Sequence, residues 1–237
     1  MKNRSLKKVL KPLPKISVSI LNSDLADLKN VVHKLESAGI EVLHLDIMDG
    51  HFVDNLTFGP QVVKSLRKHT RCFFDVHLMI ENPQKTIKEY IHAGSDLIVF
   101  HYESLNKNEI EKLIFEIKQN NIFCGISIKP KTDVKKIINY LKFLDLVLIM
   151  TVEPGFGGQK ILVDCINKIK ILNKYRRENN LDFLISSDGG INEENIKEII
   201  LLGCDLPVVG NAIFKHKNFV SKTKYILSLT KKFKYDI

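Results

Sequence analysis

The sequence predicts a single (β/α)8 barrel, and two observations lead to that prediction. Short strand-like runs rich in Val, Ile, Leu and Phe recur along the chain, and helix-like segments separate them. Eight strands in 237 residues give about 30 residues per repeat, which is the length of one β-α unit. A doubly wound open sheet is the alternative. It would be favoured by a G-x-G-x-x-G motif after the first strand, and the chain has none.

The eight predicted strands are short apolar runs, and they cover residues 15–21, 41–48, 71–79, 95–100, 122–128, 144–150, 181–187 and 205–210. The predicted helices follow from capping residues, glycine stops and an apolar spacing near 3.6 residues. They cover residues 23–38, 82–93, 108–119, 132–141, 160–177, 192–203 and 218–232. No linker divides the chain, so we expect one catalytic barrel domain at residues 15–237. Residues 1–14 are basic and precede the first strand, and we expect them to form an N-terminal arm.

The composition restricts the kinds of partner. The formal net charge of +9 is spread along the chain, which favours a solvated Lys-rich surface and no nucleic-acid partner. A non-enzymatic nucleic-acid-binding barrel is the rival interpretation of that charge. No run of 18 apolar residues is present, so no membrane partner is expected. The four cysteines are far apart and form no C-x-x-C pair, which favours a reducing, cytoplasmic location.

Two predicted strands carry unusual side chains on one face. Residues two apart in a strand share a face, so His44, Asp46 and Met48 lie together on the second strand. The third strand has Asp75, His77 and Met79 in the same relation. Their opposite faces are apolar and suit packing under helices. In a (β/α)8 barrel, polar residues at the carboxyl ends of strands line the active-site mouth, so these faces predict a site inside the barrel.

A divalent metal site is predicted from His44, Asp46, His77 and Asp188. A single inward histidine is more often a hydrogen-bonded core residue, but two histidines and two aspartates at one level would leave costly uncompensated carboxylates. Imidazoles with carboxylates suit Zn, Fe(II), Mn or Co better than Ca or Mg. Structural zinc sites favour cysteine and none is near, so we expect one catalytic metal ion.

Methionines form a second pattern. Three of the four methionines, Met48, Met79 and Met150, stand at predicted strand carboxyl ends. They predict a soft, polarizable lining around a reacting centre, and ordinary gap filling in the core is the alternative.

Glycine-rich loops follow the last three predicted strands at residues 151–159, 187–191 and 209–214. Glycine allows backbone N–H groups to approach an anion, and loops in these positions commonly bind phosphate in this fold. The three loops together predict a small phosphorylated substrate.

Several stretches carry a family likeness. They are SILNSDLADL, HLDIMDGHFVDNLTFGP, DVHLM, GSDLIVFHYE, VLIMTVEPGFGGQ, SDGGI and VGNAIF. In this order they resemble the ribulose-phosphate 3-epimerase family, and they span the chain except for its first dozen or so residues. The resemblance implies a (β/α)8 barrel that binds one divalent metal and no organic cofactor. It also implies interconversion of D-ribulose 5-phosphate and D-xylulose 5-phosphate through an enediolate, in the pentose phosphate pathway, by a homo-oligomer.

The resemblance also implies roles for individual residues. Asp46 and Asp188 would be the acid/base pair, and the metal ligands would be His44, Asp46, His77 and Asp188. Ser19, His77 and Asp188 would contact the substrate. Its phosphate would be held by Gly155, Phe156, Gly157, Gly158, Gly189, Gly190, Gly210 and Asn211. Met48, Met79 and Met150 would cap the planar intermediate.

Three positions depart from the family pattern. Val18 and Asp54 each stand where the family usually has Pro, and Asn211 stands where it usually has Ser. None of them belongs to the implied metal or acid/base set, so we expect the activity to be kept.

Two enzymatic alternatives remain open. An epimerase of a hexulose 6-phosphate, such as allulose 6-phosphate, would have nearly the same site. A related decarboxylase would carry an Asp-x-Lys pair at a strand end and an aldolase a Schiff-base lysine, but Asp46 is followed by Ile47 and Met48.

Overall fold

Eight parallel strands close into a barrel in chain order. The computed structural model describes residues 5–233 of the chain. The strands are β1 (Ser17–Ser19), β2 (Val42–Met48), β3 (Phe73–Met79), β4 (Leu97–His101), β5 (Phe123–Ile128), β6 (Leu146–Met150), β7 (Leu184–Asp188) and β8 (Leu206–Val209). Each strand pairs with the next, and β8 pairs with β1. The predicted (β/α)8 fold is confirmed.

Nine α-helices lie in the described residues: α1 (Leu6–Val9), α2 (Leu28–Ser37), α3 (Pro60–Arg67), α4 (Pro83–His92), α5 (Lys107–Gln119), α6 (Val163–Glu178), α7 (Ile196–Leu201), α8 (Asn211–Phe214) and α9 (Phe219–Thr230). Short 3-10 helices occupy Leu25–Asp27, Tyr102–Ser104, Val134–Lys136, Ile138–Phe143 and Lys231–Phe233. Within residues 5–233, no helix has both the length and the hydropathy needed to cross a bilayer.

Several helical segments differ from the sequence predictions, and the short helices α1 and α8 are among those not predicted. The helix predicted at 132–141 is a pair of 3-10 helices, Val134–Lys136 and Ile138–Phe143. Helix α3 was not predicted. It is only eight residues long, so its apolar spacing at Val63 and Leu66 extends over about two turns.

The core has two layers that the strand alternation creates. Outward side chains of the strands, such as Leu43, Leu45 and Ile47, pack under the helices in the larger apolar cluster. Inward side chains at the starts of the strands form a second cluster inside the barrel; these are Val42, Leu97, Phe123, Leu146, Leu184 and Leu206. The amino-terminal end of the barrel is therefore filled with apolar residues, and polar inward residues are left to the carboxyl end.

The segment before β1 packs against this inner cluster. Leu6, Leu10 and Leu13 are each at most 3% exposed and belong to the cluster inside the barrel. Leu6 and Leu10 are four residues apart on one side of α1, and Leu13 lies in the non-helical segment that follows. Residues 5–14 therefore close the amino-terminal end of the barrel.

A stability test follows from this packing. Leu10→Ala is expected to lower the free energy of unfolding by about 2–5 kcal/mol, because it leaves a cavity among buried aliphatic side chains. Urea titration followed by circular dichroism measures the change. The matched control is Val9→Ala, since Val9 is 44% exposed and its truncation is expected to cost less than about 0.5 kcal/mol. Equal small effects of the two variants would contradict the packing role of Leu10.

Candidate active site

A cavity of about 850 Å³ opens at the carboxyl ends of the strands. Its lining includes Ser19, Asp46, Asp188, three methionines and residues of all three glycine-rich loops. The structure thus brings the predicted site residues of β1, β2, β3, β6, β7 and the loop after β8 to one place. Parallel strand pairing produces this convergence, because all strands end at the same side of the barrel.

Four side chains meet at the base of the cavity, where Asp46 and Asp188 line it and His44 and His77 are fully buried beside them. Ser19 pairs with His44 across β1 and β2, and Asp46 pairs with His77 across β2 and β3. One ligating atom from each of His44, Asp46, His77 and Asp188 lies within 4.8 Å of the others. His44 Nε2 is 3.2 Å from His77 Nδ1, 3.4 Å from Asp46 Oδ1 and 3.9 Å from Asp188 Oδ2.

These distances fit a metal centre. Nitrogen and oxygen ligands about 2.1 Å from a tetrahedral metal lie about 3.4 Å from one another. His77 Nδ1 is 3.6 Å from Asp46 Oδ1 and 3.9 Å from Asp188 Oδ2, close to that separation. The donor set of two imidazole nitrogens and two carboxylate oxygens suits a transition metal. The residues present therefore fit a single divalent ion.

Hydrogen bonds hold the inner carboxylates. Ser19 Oγ donates to Asp46 Oδ2 at 2.6 Å, which leaves Asp46 Oδ1 facing the two histidines. His44 Nδ1 donates to Asp75 Oδ2 at 2.7 Å, and Ser17 Oγ donates to the same oxygen. A carboxylate behind a ligating imidazole fixes its orientation and tautomer.

Sequence reasoning placed Asp75 on the same face as His77 but assigned it no role. The only signal in the sequence was that shared face. Asp75 Oδ1 is buried and has no hydrogen-bond partner within the described residues. The fully buried carboxylate is thus directed mainly at His44.

The histidines have opposite pKa shifts. Burial opposes protonation of His44, but the charges of Asp75 and Asp46 outweigh it and hold the pKa of His44 well above its usual value. Burial lowers the pKa of His77 to about 4, and the neighbouring imidazoles of His101 and His44 add to that effect. Without a metal, His44 and His77 therefore carry one positive charge between them, and this charge is on His44.

The pKa values of the two carboxyl groups, Asp46 and Asp188, are also shifted in opposite directions. Burial opposes ionisation of Asp46, but His44 and His77 outweigh it and hold the pKa of Asp46 well below its usual range. Burial, together with the negative charge of Asp46, raises the pKa of Asp188 to about 7. Near neutral pH one carboxyl group can accept a proton while the other can hold one. Pairs with such separated pKa values are typical of acid/base catalysis.

The glycine-rich loops pack against one another above the cluster. The Thr151 hydroxyl contacts the carbonyl of Gly189 at 2.6 Å, which ties the loop after β6 to the loop after β7. Asn55 Nδ2 donates to the carbonyl of Gly155 at 2.6 Å and ties in the loop after β2. Gly190 has φ of +68°, and a Cβ there would lie 2.6 Å from the backbone nitrogen of Ile161. Glycine is required at this position.

Cationic side chains that sequence reasoning missed also line the cavity. Lys160, Lys215 and Lys222 lie around the glycine-rich loops, and Lys222 pairs with Glu193. They lie on three separate segments, so no local motif indicates them. Glu153, Glu193 and Glu194 line the same side of the cavity, so its charges are mixed.

The three methionines reach the cavity but do not form one group. Met48 and Met79 are neighbours across β2 and β3 and pack with Val53. Met150 pairs with Asp188 across β6 and β7 and belongs to the cluster inside the barrel. All three are at most 3% exposed. Their role over an intermediate stays a prediction.

The departures from the family pattern lie in three different environments. Val18 is buried and packs in the cluster beneath the helices. Asp54 is exposed in the loop after β2. Asn211 lines the cavity at the first residue of α8, so it alone is placed where it can meet a ligand.

Comparison with known proteins supplies the family context. The model of the Ribulose-phosphate 3 epimerase family matches residues 15–214. The chain is 40% identical to "Ribulose-phosphate 3-epimerase" of Treponema pallidum over 199 residues, covering 84% of this chain and 90% of that protein. It is also 40% identical to the protein of the same name from Bacillus subtilis over 201 residues, covering 84% and 92%.

Solved structures with lower identity share the fold. The 3-keto-L-gulonate-6-phosphate decarboxylase of Vibrio cholerae superposes with a TM-score of 0.70 at 15% identity, over 94% of this chain and 100% of that chain. The 3-hexulose-6-phosphate synthase of Salmonella typhimurium gives a TM-score of 0.69 at 16% identity, over 92% and 99%. At this identity the likeness concerns the barrel alone.

Proposed function

The chain belongs to the ribulose-phosphate 3-epimerase family and is a carbohydrate epimerase, and we propose that it interconverts D-ribulose 5-phosphate and D-xylulose 5-phosphate. We further propose that the reaction proceeds by proton transfer at C3. The observation that carries the mechanism is the placement of Asp46 and Asp188 together in the cavity lining, with one oxygen of each within 4.8 Å of the other.

The chemistry requires a proton to leave one face of C3 and another to arrive on the opposite face. The C3 hydrogen is acidic because it is α to the C2 carbonyl, and its removal gives a planar enediolate. In one direction the ionised Asp46 takes the C3 proton, and the protonated Asp188 gives its proton to the other face. Each carboxyl group then has the protonation state that the reverse reaction needs, so atoms and charges balance.

Proton transfer alone does not supply the whole rate enhancement. A positioned acid or base contributes about 10²–10⁴-fold, whereas enzymes commonly reach about 10⁶-fold or more. A divalent ion of Zn, Fe(II), Mn or Co, when held by His44, Asp46, His77 and Asp188, would stabilise the negative charge that develops on the C2 and C3 oxygens. The same ligation would hold both carboxylates in place on either side of the sugar.

Binding of the substrate is assigned to the loops above the cluster. Gly155, Phe156, Gly157 and Gly158, with Gly189, Gly190, Gly210 and Asn211, line the cavity next to the lysine side chains. We propose that backbone N–H groups of these loops hold the phosphate. Ser19 and His77 would contact the sugar, and the methionines would exclude water from the planar intermediate.

The wider setting is proposed as well. The partner is a small sugar phosphate, and the working form is a homo-oligomer. All four cysteines are free and buried, which supports a location in the reducing cytoplasm.

The experiment that tests the proposed function is a comparison of substrates. The cavity of about 850 Å³ is large enough for one further carbon, so a hexulose 6-phosphate is the second candidate. We expect kcat/KM on ribulose 5-phosphate to exceed that on allulose 6-phosphate by at least ~100-fold, a difference of about 2.7 kcal/mol in transition-state stabilisation. Proton NMR of each sugar phosphate with purified protein measures both rates. Faster turnover of the hexulose would contradict the assigned substrate.

A further inference from the structure

A line of buried hydrogen bonds continues from the metal cluster away from the cavity. His77 Nε2 lies 2.9 Å from Nε2 of His101, the last residue of β4. His101 Nδ1 lies 3.2 Å from Oε2 of Glu103 in the 3-10 helix that follows. His77 and His101 are both 0% exposed. Neither His101 nor Glu103 has a part in the proposed reaction.

Glu103 can only accept from His101. Its other oxygen, Oε1, accepts from the backbone N–H of Lys129 at 2.7 Å and from Thr132 Oγ1. These donors, with His101, hold the pKa of Glu103 at about 2 despite its burial, so the group is an ionised carboxylate at neutral pH. His101 Nδ1 must therefore carry a hydrogen.

The direction of the hydrogen bond between His77 and His101 follows from the tautomer of His101. Metal ligation at Nδ1 leaves His77 with its hydrogen on Nε2, so Nε2 donates to His101. That bond requires a bare Nε2 on His101, which is the tautomer that Glu103 selects. His77 Nδ1 is then the bare nitrogen, and it is the atom that faces His44 Nε2, Asp46 Oδ1 and Asp188 Oδ2.

Packing fixes the orientation of the His101 ring. Its centroid lies 5.0 Å from that of His77, with the planes 25° apart. Phe52 covers it at a centroid distance of 4.7 Å, and Lys129 Nζ lies 3.8 Å from the centre of the Phe52 ring. The loop that carries Phe52 is itself held by Asp49, whose Oδ1 accepts from the backbone N–H of Phe52.

We propose that Glu103 and His101 are positioning residues that hold His77 in the tautomer with a bare Nδ1 and so set the affinity of the site for its divalent metal. Asp75 orients His44 in the same way through the hydrogen bond from His44 Nδ1. The inference rests on the proposed metal site. It adds that one of the metal ligands is oriented through two residues that touch neither metal nor substrate.

The isosteric variant Glu103→Gln is expected to reverse the direction of the hydrogen bonds that link Glu103, His101 and His77. The two donors at Oε1 require an acceptor, so the amide oxygen stays there and the amide NH2 group faces His101. His101 must then carry its hydrogen on Nε2 and donate to His77. The His77 hydrogen is displaced to Nδ1, where it competes with the metal.

The measurement is titration calorimetry of metal-free protein with Zn²⁺ and with Co²⁺. The affinity is expected to fall by about 10- to 100-fold in Glu103→Gln, the range for loss of an outer-shell partner. The matched control is Glu109→Gln, which makes the same chemical change at the N-terminal cap of α5 and is expected to leave the affinity within ~2-fold. Equal affinities of wild type and Glu103→Gln would overturn the proposal.

A second measurement is independent of affinity and of activity. Long-range ¹H–¹⁵N correlation spectra of the metal-free wild-type protein report which ring nitrogens carry hydrogen. We expect His77 protonated on Nε2 and His101 on Nδ1, and both tautomers reversed in Glu103→Gln. A wild-type His77 protonated on Nδ1 would overturn the proposed role of Glu103 and His101, even if the protein is an active epimerase. A wild-type protein that binds no metal would instead contradict the proposed metal centre, and the spectra would still decide the tautomers.

Discussion

Replacing Asp188 with Asn is expected to reduce epimerisation of ribulose 5-phosphate by ~10⁴-fold, the upper end of the range for a positioned acid/base group. An amide cannot take or give the proton at C3, so one face of C3 is left without a group that can transfer a proton. The side-chain oxygen of Asn can still act as a ligand. The barrel is expected to remain folded, because Asp188 lies at the cavity and not in the apolar layers.

Three measurements on Asp188→Asn separate chemistry from structure. Proton NMR gives the rate, elemental analysis gives the metal content, and thermal melting gives the stability. The control Asp164→Asn makes the same change on the exposed side of α6 and is expected to keep the wild-type rate within ~2-fold. Turnover near wild type in Asp188→Asn would contradict the use of two carboxylates.

Removing the metal is expected to lower turnover to below ~1% of the wild-type rate, because the carboxylates alone account for only about 10²–10⁴-fold of catalysis. Dialysis against a chelator, followed by elemental analysis and the NMR assay, measures the loss. Adding back Zn²⁺, Fe²⁺, Mn²⁺ or Co²⁺ separately is expected to restore turnover to different extents. Full activity in protein shown to contain no metal would contradict the metal centre.

Metal removal is also expected to lower the melting temperature. A ligand at 100 times its dissociation constant stabilises the folded state by about 2.7 kcal/mol. In addition, the metal-free site must keep the Asp46 carboxylate ionised in a buried environment beside one protonated histidine. The melting temperature of chelated protein should therefore rise on adding metal, and should not rise on adding Ca²⁺, which disfavours imidazole ligands.

The site could be predicted from the sequence to the extent that it depends on strand alternation. His44 and Asp46 share a face because they are two residues apart, and the same holds for Asp75 and His77. Parallel strands end at one side of a barrel, so these faces and Asp188 converge without any knowledge of loops. The predicted locations of all eight strands agree with the structure, since each strand lies in a short run rich in Val, Ile, Leu and Phe.

Residues behind the ligands could not be predicted in this way. The contact of His101 with His77 depends on the register of β4 against β3, which no single strand encodes. Glu103 reaches His101 because its own carboxylate is anchored by Lys129 and Thr132 after β5. Such contacts depend on loop packing. The only signal in the sequence was that His101 and Glu103 are two residues apart.

Short helical segments were the other gap. Helix α3 is only eight residues long, so its apolar spacing covers a short window, and Pro60 after Gly59 was its main sequence signal. The packing of Leu6 and Leu10 into the barrel was missed because a four-residue helix in a Lys-rich segment has little periodicity to detect.

The most direct test of the proposed mechanism is the fate of the C3 hydrogen. Purified protein with its metal is incubated with D-ribulose 5-phosphate in deuterium oxide, with and without chelator, and proton NMR follows the sugar. We expect xylulose 5-phosphate with deuterium at C3, and both the product and the exchange lost on chelation. Xylulose 5-phosphate that keeps its original C3 hydrogen would contradict proton transfer through Asp46 and Asp188.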